Sequence, residues 1–141
     1  MINREHLDAF LDAMHKRDVS ATEAHLADDV VIYSPIVPEP FEGKQMVQEI
    51  LKQLLLTVDA FTPKQLLQDG SDFVAIFTIE LGLNKLDGMD HMHLNEAGLI
   101  DSMTVAWRPL PAVVEVQKLL APKFGMKPLT LVPITKAATE R

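Results

Sequence analysis

The chain has 141 residues, 48% hydrophobic and 23% charged, with no cysteine and a net charge of −7 from 13 basic and 20 acidic side chains. That length suits one compact domain with its own core, and the composition is that of a folded globule rather than a disordered tail. It excludes disulfides, thiolate metal sites and a cysteine nucleophile. It also disfavours nucleic acid, which needs a basic stripe, and no apolar run reaches the ~18 residues of a membrane span. The opening residues Met1, Ile2, Asn3, Arg4 and Glu5 lack the apolar segment of a signal peptide, so a cytoplasmic location is expected.

Leu7, Phe10, Leu11 and Met14 recur at helical spacing, which predicts an amphipathic helix over 4–17 with Asn3 as N-cap. Ser20 and Glu23 have the spacing of a capping box and predict a second, shorter helix ending near Ala27. Val30 to Tyr33 reads as a strand closed by Pro35, and Pro38, Pro40 and Gly43 mark the loop after it. Met46, Val47, Ile50, Leu51, Leu54 and Leu55 give a third helix, about 44–57, a wide apolar face.

Beyond Phe61 the hydrophobic period becomes two. Turn signals at Asp69-Gly70, Leu86-Asp87-Gly88 and Asn95 to Gly98 divide the chain into strands at about 61–68, 73–83, 89–95 and 99–108. Short connections predict an antiparallel meander, and helices followed by strands give an α+β fold with the helices on one face of a curved sheet. Residues 1–109 make the main domain. Residues 110–141, with four prolines, five basic and two acidic side chains, form a short helix and an extended arm packing on it. That segment is net +3, leaving −10 on the rest.

Alternation puts Asp90, Met92 and Leu94 on one strand face and Met89, His91 and His93 on the other. Phe73, Ala75, Phe77, Ile79 and Leu81 should face the helices, as should Leu99, Asp101, Met103, Val105 and Trp107, with Ile100 outside. Asp90 is then a carboxylate on an apolar face with no cation nearby. Burial should raise its pKa above the usual ~3.9 so that the acid can donate a hydrogen bond; the alternative is an Asp90 that caps a backbone amide or reaches solvent.

Three stretches, Leu26-Ala27-Asp28-Asp29-Val30, then Ser34-Pro35 with Glu39-Pro40 and Gly43, then Asp90-His91 with Ala97-Gly98, Ser102-Met103 and Trp107, carry a likeness to a known family. In their order and spacing the chain resembles the nuclear transport factor 2-like superfamily, within it the ketosteroid isomerase and SnoaL-like polyketide cyclase group. The resemblance implies a cone: a curved mixed sheet around a long helix, with an apolar pocket among the helices. Ketosteroid isomerase moves a proton with a carboxylate base and an oxyanion hole of a tyrosine and a protonated aspartic acid. That aspartic acid falls on Asp90, and family pocket positions fall on Met103, Val105 and Trp107. The base position, before a proline, holds Ser34, and the tyrosine position on the first helix holds Phe10. A serine without a paired base cannot take a proton from carbon near neutral pH. The arginine that limonene epoxide hydrolase carries two residues before its strand aspartate is Gly88 here.

The resemblance implies a small hydrophobic, oxygen-bearing ring compound as ligand, with Asp90 catalytic if the protein is an isomerase or cyclase, and no cofactor. Phe10, Met14, Tyr33, Ser34, Phe77, Met92, Met103, Val105 and Trp107 are the expected binding residues. The alternative is a non-catalytic ligand-binding or dimerisation module, which a pocket under ~100 Å³ would favour. His91 and His93 could hold a metal only with a third ligand such as Glu80; a polar or dimer-buried outer face is the simpler reading, and no metal is expected. His25 reads as a half-buried hydrogen-bonding residue, and His6 and His15 as helix-surface groups. A homodimer through the outer sheet face is expected from His91, His93, Thr78 and Glu80 set among Val74, Ile76 and Ile100. The arm from Leu129 to Ile134 should fold over its own domain or the partner.

Overall fold

The computed structural model describes residues 3–134. Its elements are α1 (Glu5–Lys16), α2 (Val19–Thr22), β1 (Leu26–Tyr33), β2 (Phe41–Glu42), α3 (Lys44–Thr57), β3 (Ala60–Asp69), β4 (Asp72–Leu81), β5 (Asn84–Leu94), β6 (Ile100–Arg108) and α4 (Leu110–Leu120). They form one six-stranded sheet, ordered β2-β1-β6-β5-β4-β3, with the helices gathered on its inner face. The fold is the expected α+β cone. β3 to β6 make the antiparallel meander, while β1, ahead of α3 in the chain, lies parallel to β6. Among the described residues no helix is long and apolar enough to cross a membrane.

Local chemistry sets the element ends. Asn3 Oδ1 accepts a hydrogen bond from the Glu5 amide at 2.8 Å, and Arg17, left-handed at φ 53°, ends α1. The expected capping box of Ser20 and Glu23 does not form. Asp18 caps instead, accepting from the Ala21 amide at 3.3 Å, and α2 is only one turn before a 3₁₀ turn (Glu23–His25) leads into β1 at Leu26. Asp18 wins because it directly follows the break that Arg17 makes.

Two further expectations are corrected. The β4–β5 turn lies at Gly82-Leu83, where Gly82 takes φ 58°; Leu86-Asp87-Gly88 is strand. Gly88 is therefore a glycine for packing, not for turning. β6 also begins out of phase: Leu94 pairs with Ile100 but His93 with Ser102, so one residue bulges between them. Ile100 is consequently buried rather than outside, and Asp101 leaves the apolar face to meet His93 at 2.7 Å. Beyond the bulge, Met103, Val105 and Trp107 keep the expected side.

The core fills the space between sheet and helices: Leu7, Phe10 and Met14 from α1, Val47, Leu51 and Leu55 from α3, and Phe73, Phe77, Met92 and Met103 from the sheet. β5 alternates buried and exposed along its length, the signature of a sheet covered on one face only. α4 packs against α3, β5 and β6, and the chain leaves it through a second 3₁₀ turn, Ala121–Phe124.

Candidate functional site

Between the inner sheet face, α3 and the segment after α4 lies a partly open cavity of about 60 Å³. Its floor is Phe61, Phe77, Asp90, Met103, Val105 and Trp107, and its walls include Met14, Ile32, Ile50, Leu51 and Leu54. Ser34, Ile36 and Phe41 border one side, and Leu120, Phe124 and Met126 the other. Of the expected binding residues, Met14, Ser34, Phe77, Met103, Val105 and Trp107 line this space together with Asp90.

Three expected residues lie elsewhere. Tyr33 points away from the cavity and is 45% exposed, because Ile32 beside it takes the inward position and adjacent strand residues face opposite ways. Phe10 and Met92 are fully buried but pack behind the lining, Met92 against its register partners Phe73 and Met103. The loop and C-terminal residues Ile36, Phe41, Phe124 and Met126 carry no periodic pattern that would have marked them in the sequence.

Asp90 sits mid-sheet, opposite Ala75 on β4 and Val105 on β6. Its carboxyl is buried and no cation faces it; desolvation alone raises its pKa from 3.8 to about 7. Asp90 Oδ1 and Trp107 Nε1 are the two buried side-chain polar atoms, among the described residues, that have no hydrogen-bond partner. Trp107 pairs with Gly88, so on the sheet it stands one diagonal step from Asp90. An acid and an indole N–H, both unpaired, thus belong to one lining whose other side chains are apolar apart from Ser34.

Ser34 contributes no base. Its Oγ accepts from the Ile36 and Val37 amides at 3.3 and 3.2 Å, which closes the turn after β1. Asp90 is the single carboxyl group in the lining.

The histidines are engaged outside the cavity. His91 Nε2 meets Asp72 at 2.9 Å and His93 Nδ1 meets Asp101 at 2.7 Å, each with its own acid. Glu80 is no third ligand: it pairs with Lys85, six residues along β4 from Val74 opposite His91, a distance of about 20 Å. Among the described residues no three His, Asp or Glu side chains gather as a metal-holding group. His6 and His15 are not free surface groups either. His15 Nδ1 donates to the Phe61 carbonyl at 3.0 Å, and His6 and His25 share a hydrogen bond between Nδ1 atoms at 3.0 Å. Burial, and then the charge of His6, lowers the pKa of His25.

The family model for the SnoaL-like domain matches residues 7–103. No curated protein matches the sequence. Among solved structures, an uncharacterized protein with a cystatin-like fold from Silicibacter pomeroyi DSS-3 is similar at a TM-score of 0.80 and 24% identity, over 85% of each chain. A steroid delta-isomerase from Pseudomonas aeruginosa is similar at a TM-score of 0.78 and 24% identity, over 85% of this chain and 89% of that one. The epoxide hydrolase/cyclase-like enzyme SalBIII, with a role in pyran ring formation in the polyether salinomycin, is similar at 0.63 and 21% identity, over 74% and 88%. These likenesses establish the fold.

Proposed function

The chain belongs to the SnoaL-like domain family, and from that premise we propose that it binds a small apolar molecule bearing one oxygen function, to which neutral Asp90 and Trp107 donate hydrogen bonds. The observation that carries this reading is the pair of unpartnered buried atoms, Asp90 Oδ1 and Trp107 Nε1, in one apolar cavity. Each buried polar group left unpaired costs about 1–3 kcal/mol, so a module needing only a packed core would do better with apolar side chains at both positions. A ligand carbonyl placed between them satisfies both. The names of two similar structures, a steroid isomerase and a cyclase-like enzyme, support a ring compound with oxygen as the ligand class.

The same geometry limits the chemistry. A carbonyl gripped by two donors is polarised, the electrostatic half of isomerisation or aldol-type cyclisation. The proton-abstracting half has no group of its own: Ser34 Oγ is occupied, Phe10 has no hydroxyl, and one carboxyl cannot donate to an oxygen and deprotonate a carbon at once. The protein is thus a binder, with cyclisation of a substrate that supplies its own internal base as the furthest activity Asp90 supports.

The cavity's size favours the second reading, a non-catalytic binding or dimerisation module that kept the fold and lost the chemistry, because 60 Å³ holds a few water-sized groups against several hundred Å³ for a typical ligand cleft. The two are separated by titrating cyclohexanone at pH 6 and following the indole N–H resonance, which belongs to Trp107 because the chain has one tryptophan. A saturable downfield shift, lost in Asp90→Leu, supports the binder. No saturable shift with cyclohexanone or the larger 2-tetralone supports the module.

A further inference from the structure

We propose that the segment from Ala121 to Leu129 is a removable wall of the cavity, latched by Gln117, and that its release sets the size of ligand the site admits. The inference rests on the ligand-binding reading and specifies how that site is entered.

The cavity's walls are unequal. Phe61, Phe77 and Met103 are buried and held in a sheet whose strands are hydrogen-bonded on both sides or capped by α1 and α3. The opposite wall, Phe124 and Met126, is half-buried and lies outside the sheet, with the Phe124 ring 6.3 Å from that of Phe41. Gly125, at φ 72°, reverses the chain so that the Met126 amide donates to the Ala121 carbonyl at 3.0 Å, which turns Met126 toward the cavity. Lys123 Nζ donates to Thr57 Oγ1 at 2.6 Å and tethers the turn to the end of α3.

The remaining anchor is Gln117 on α4, 3% exposed and one of three buried polar or charged residues among those described. Its Nε2 donates to the Val114 and Leu129 carbonyls, and its Oε1 accepts from the Leu129 amide at 2.9 Å. One side chain thus mimics a strand and grips both backbone groups of a single residue. Among the described residues these are the only hydrogen bonds made by 127–134. At the grip Leu129 is 64% exposed, and past it Leu131, Val132 and Ile134 are 53, 78 and 79% exposed, which leaves the apolar side of the arm open to a partner copy; residues 135–141 lie outside those described.

When Leu129 leaves, the buried Gln117 amide keeps only its bond to the Val114 carbonyl and its Oε1 loses its partner, a loss costly enough to keep the wall shut without a ligand. Opening it breaks a few local contacts and leaves the sheet ladder whole, so it belongs to the low-energy end of the protein's motions. A cavity of about 60 Å³ is too small for a fused ring, and displacing Phe124 and Met126 would widen it over the apolar floor that carries Asp90.

The absence of native cysteine makes the test clean. Thr57→Cys with Lys123→Cys, bridged by a short disulfide-containing crosslinker, ties the wall to α3, and reduction frees it. Association of 2-tetralone is followed by stopped-flow fluorescence of Trp107, with acetone binding followed by the indole resonance as the control. Tethering should slow 2-tetralone association about tenfold or more while acetone binding is kept, reduction should restore the rate, and Gln117→Ala should raise it above wild type. Equal 2-tetralone rates in tethered and reduced protein, with acetone bound by both, overturn the latch and spare the site. If neither ketone binds any form, the site reading fails and the latch with it.

Discussion

Gly88 lies beneath the ring of Phe77: a Cβ on residue 88 would stand 2.2 Å from Phe77 Cζ and 3.0 Å from Trp107 Cδ1. The two residues are register partners across β4 and β5, and the ring fills the space a side chain would take. Phe77 thereby stacks on Phe61 at 4.6 Å and forms the cavity floor. Gly88→Ala should destabilise the fold by about 1–3 kcal/mol through overpacking, and Phe77→Leu in the same chain should recover part of that loss. Denaturant unfolding of the single and double variants checks it; a neutral Gly88→Ala would mean the ring has room to move.

Ser34 works through its acceptor oxygen. Ser34→Ala removes the bonds to the Ile36 and Val37 amides and should cost about 0.5–1.5 kcal/mol of stability, leaving ketone binding within about twofold of wild type. Chemical denaturation and the indole titration measure the two effects separately. A large loss of binding at unchanged stability would give Ser34 a direct role toward the ligand.

The outer sheet face is proposed as a dimer contact. Val74 and Ile76 are half-buried there and Met89 is 50% exposed, beside His91 and His93 with their acid partners, while Ile100 is removed from the patch by the bulge. This mixture of apolar centre and polar border suits an interface. Sedimentation at micromolar concentration should show a dimer, and Ile76→Lys a monomer; a monomeric wild type removes the idea.

What the sequence made legible follows one physical rule, and what it hid follows another. The strict alternation of β5 and the helical spacing of α1 and α3 report burial directly, so Asp90 could be placed on the apolar face from its neighbours Met92 and Leu94 alone. Gly82 and Gly88 look alike in a sequence, yet one turns the chain and the other makes room for Phe77, a difference fixed by a residue eleven positions away. The bulge at the start of β6 inverted the assignments of Ile100 and Asp101, because a single extra residue flips every side chain before it. The wall of Phe124 and Met126 had no periodicity to betray it. Gln117 carried no signal either, because its partner, the backbone of Leu129, leaves no mark in a sequence.

Burial of Asp90 carries a sign for stability. Its folded pKa of about 7 lies above the unperturbed 3.8, so its favourable contribution is complete below pH 3.8 and is lost as pH rises through 7. At about 1.4 kcal/mol per unit, Asp90→Asn should be more stable than wild type by about 2–4 kcal/mol at pH 8 and within about 1 kcal/mol of it at pH 4. His25 gives the opposite slope: its lowered pKa means its contribution is lost as pH falls below 6.5. That term is common to both proteins and cancels in the difference, which urea unfolding at the two pH values measures.

The central claim is that Asp90 is a neutral hydrogen-bond donor in the cavity at the pH where the protein would meet its ligand. Carbon-13 NMR of the Asp90 carboxyl in the full chain, titrated from pH 3 to pH 9 and assigned by its loss in Asp90→Asn, tests it most directly. The account predicts a midpoint near 7, moving upward when cyclohexanone is present because a ketone accepts only from the protonated acid. A midpoint at or below 3.8, unmoved by the ketone, would make Asp90 an ionised structural group and contradict the account.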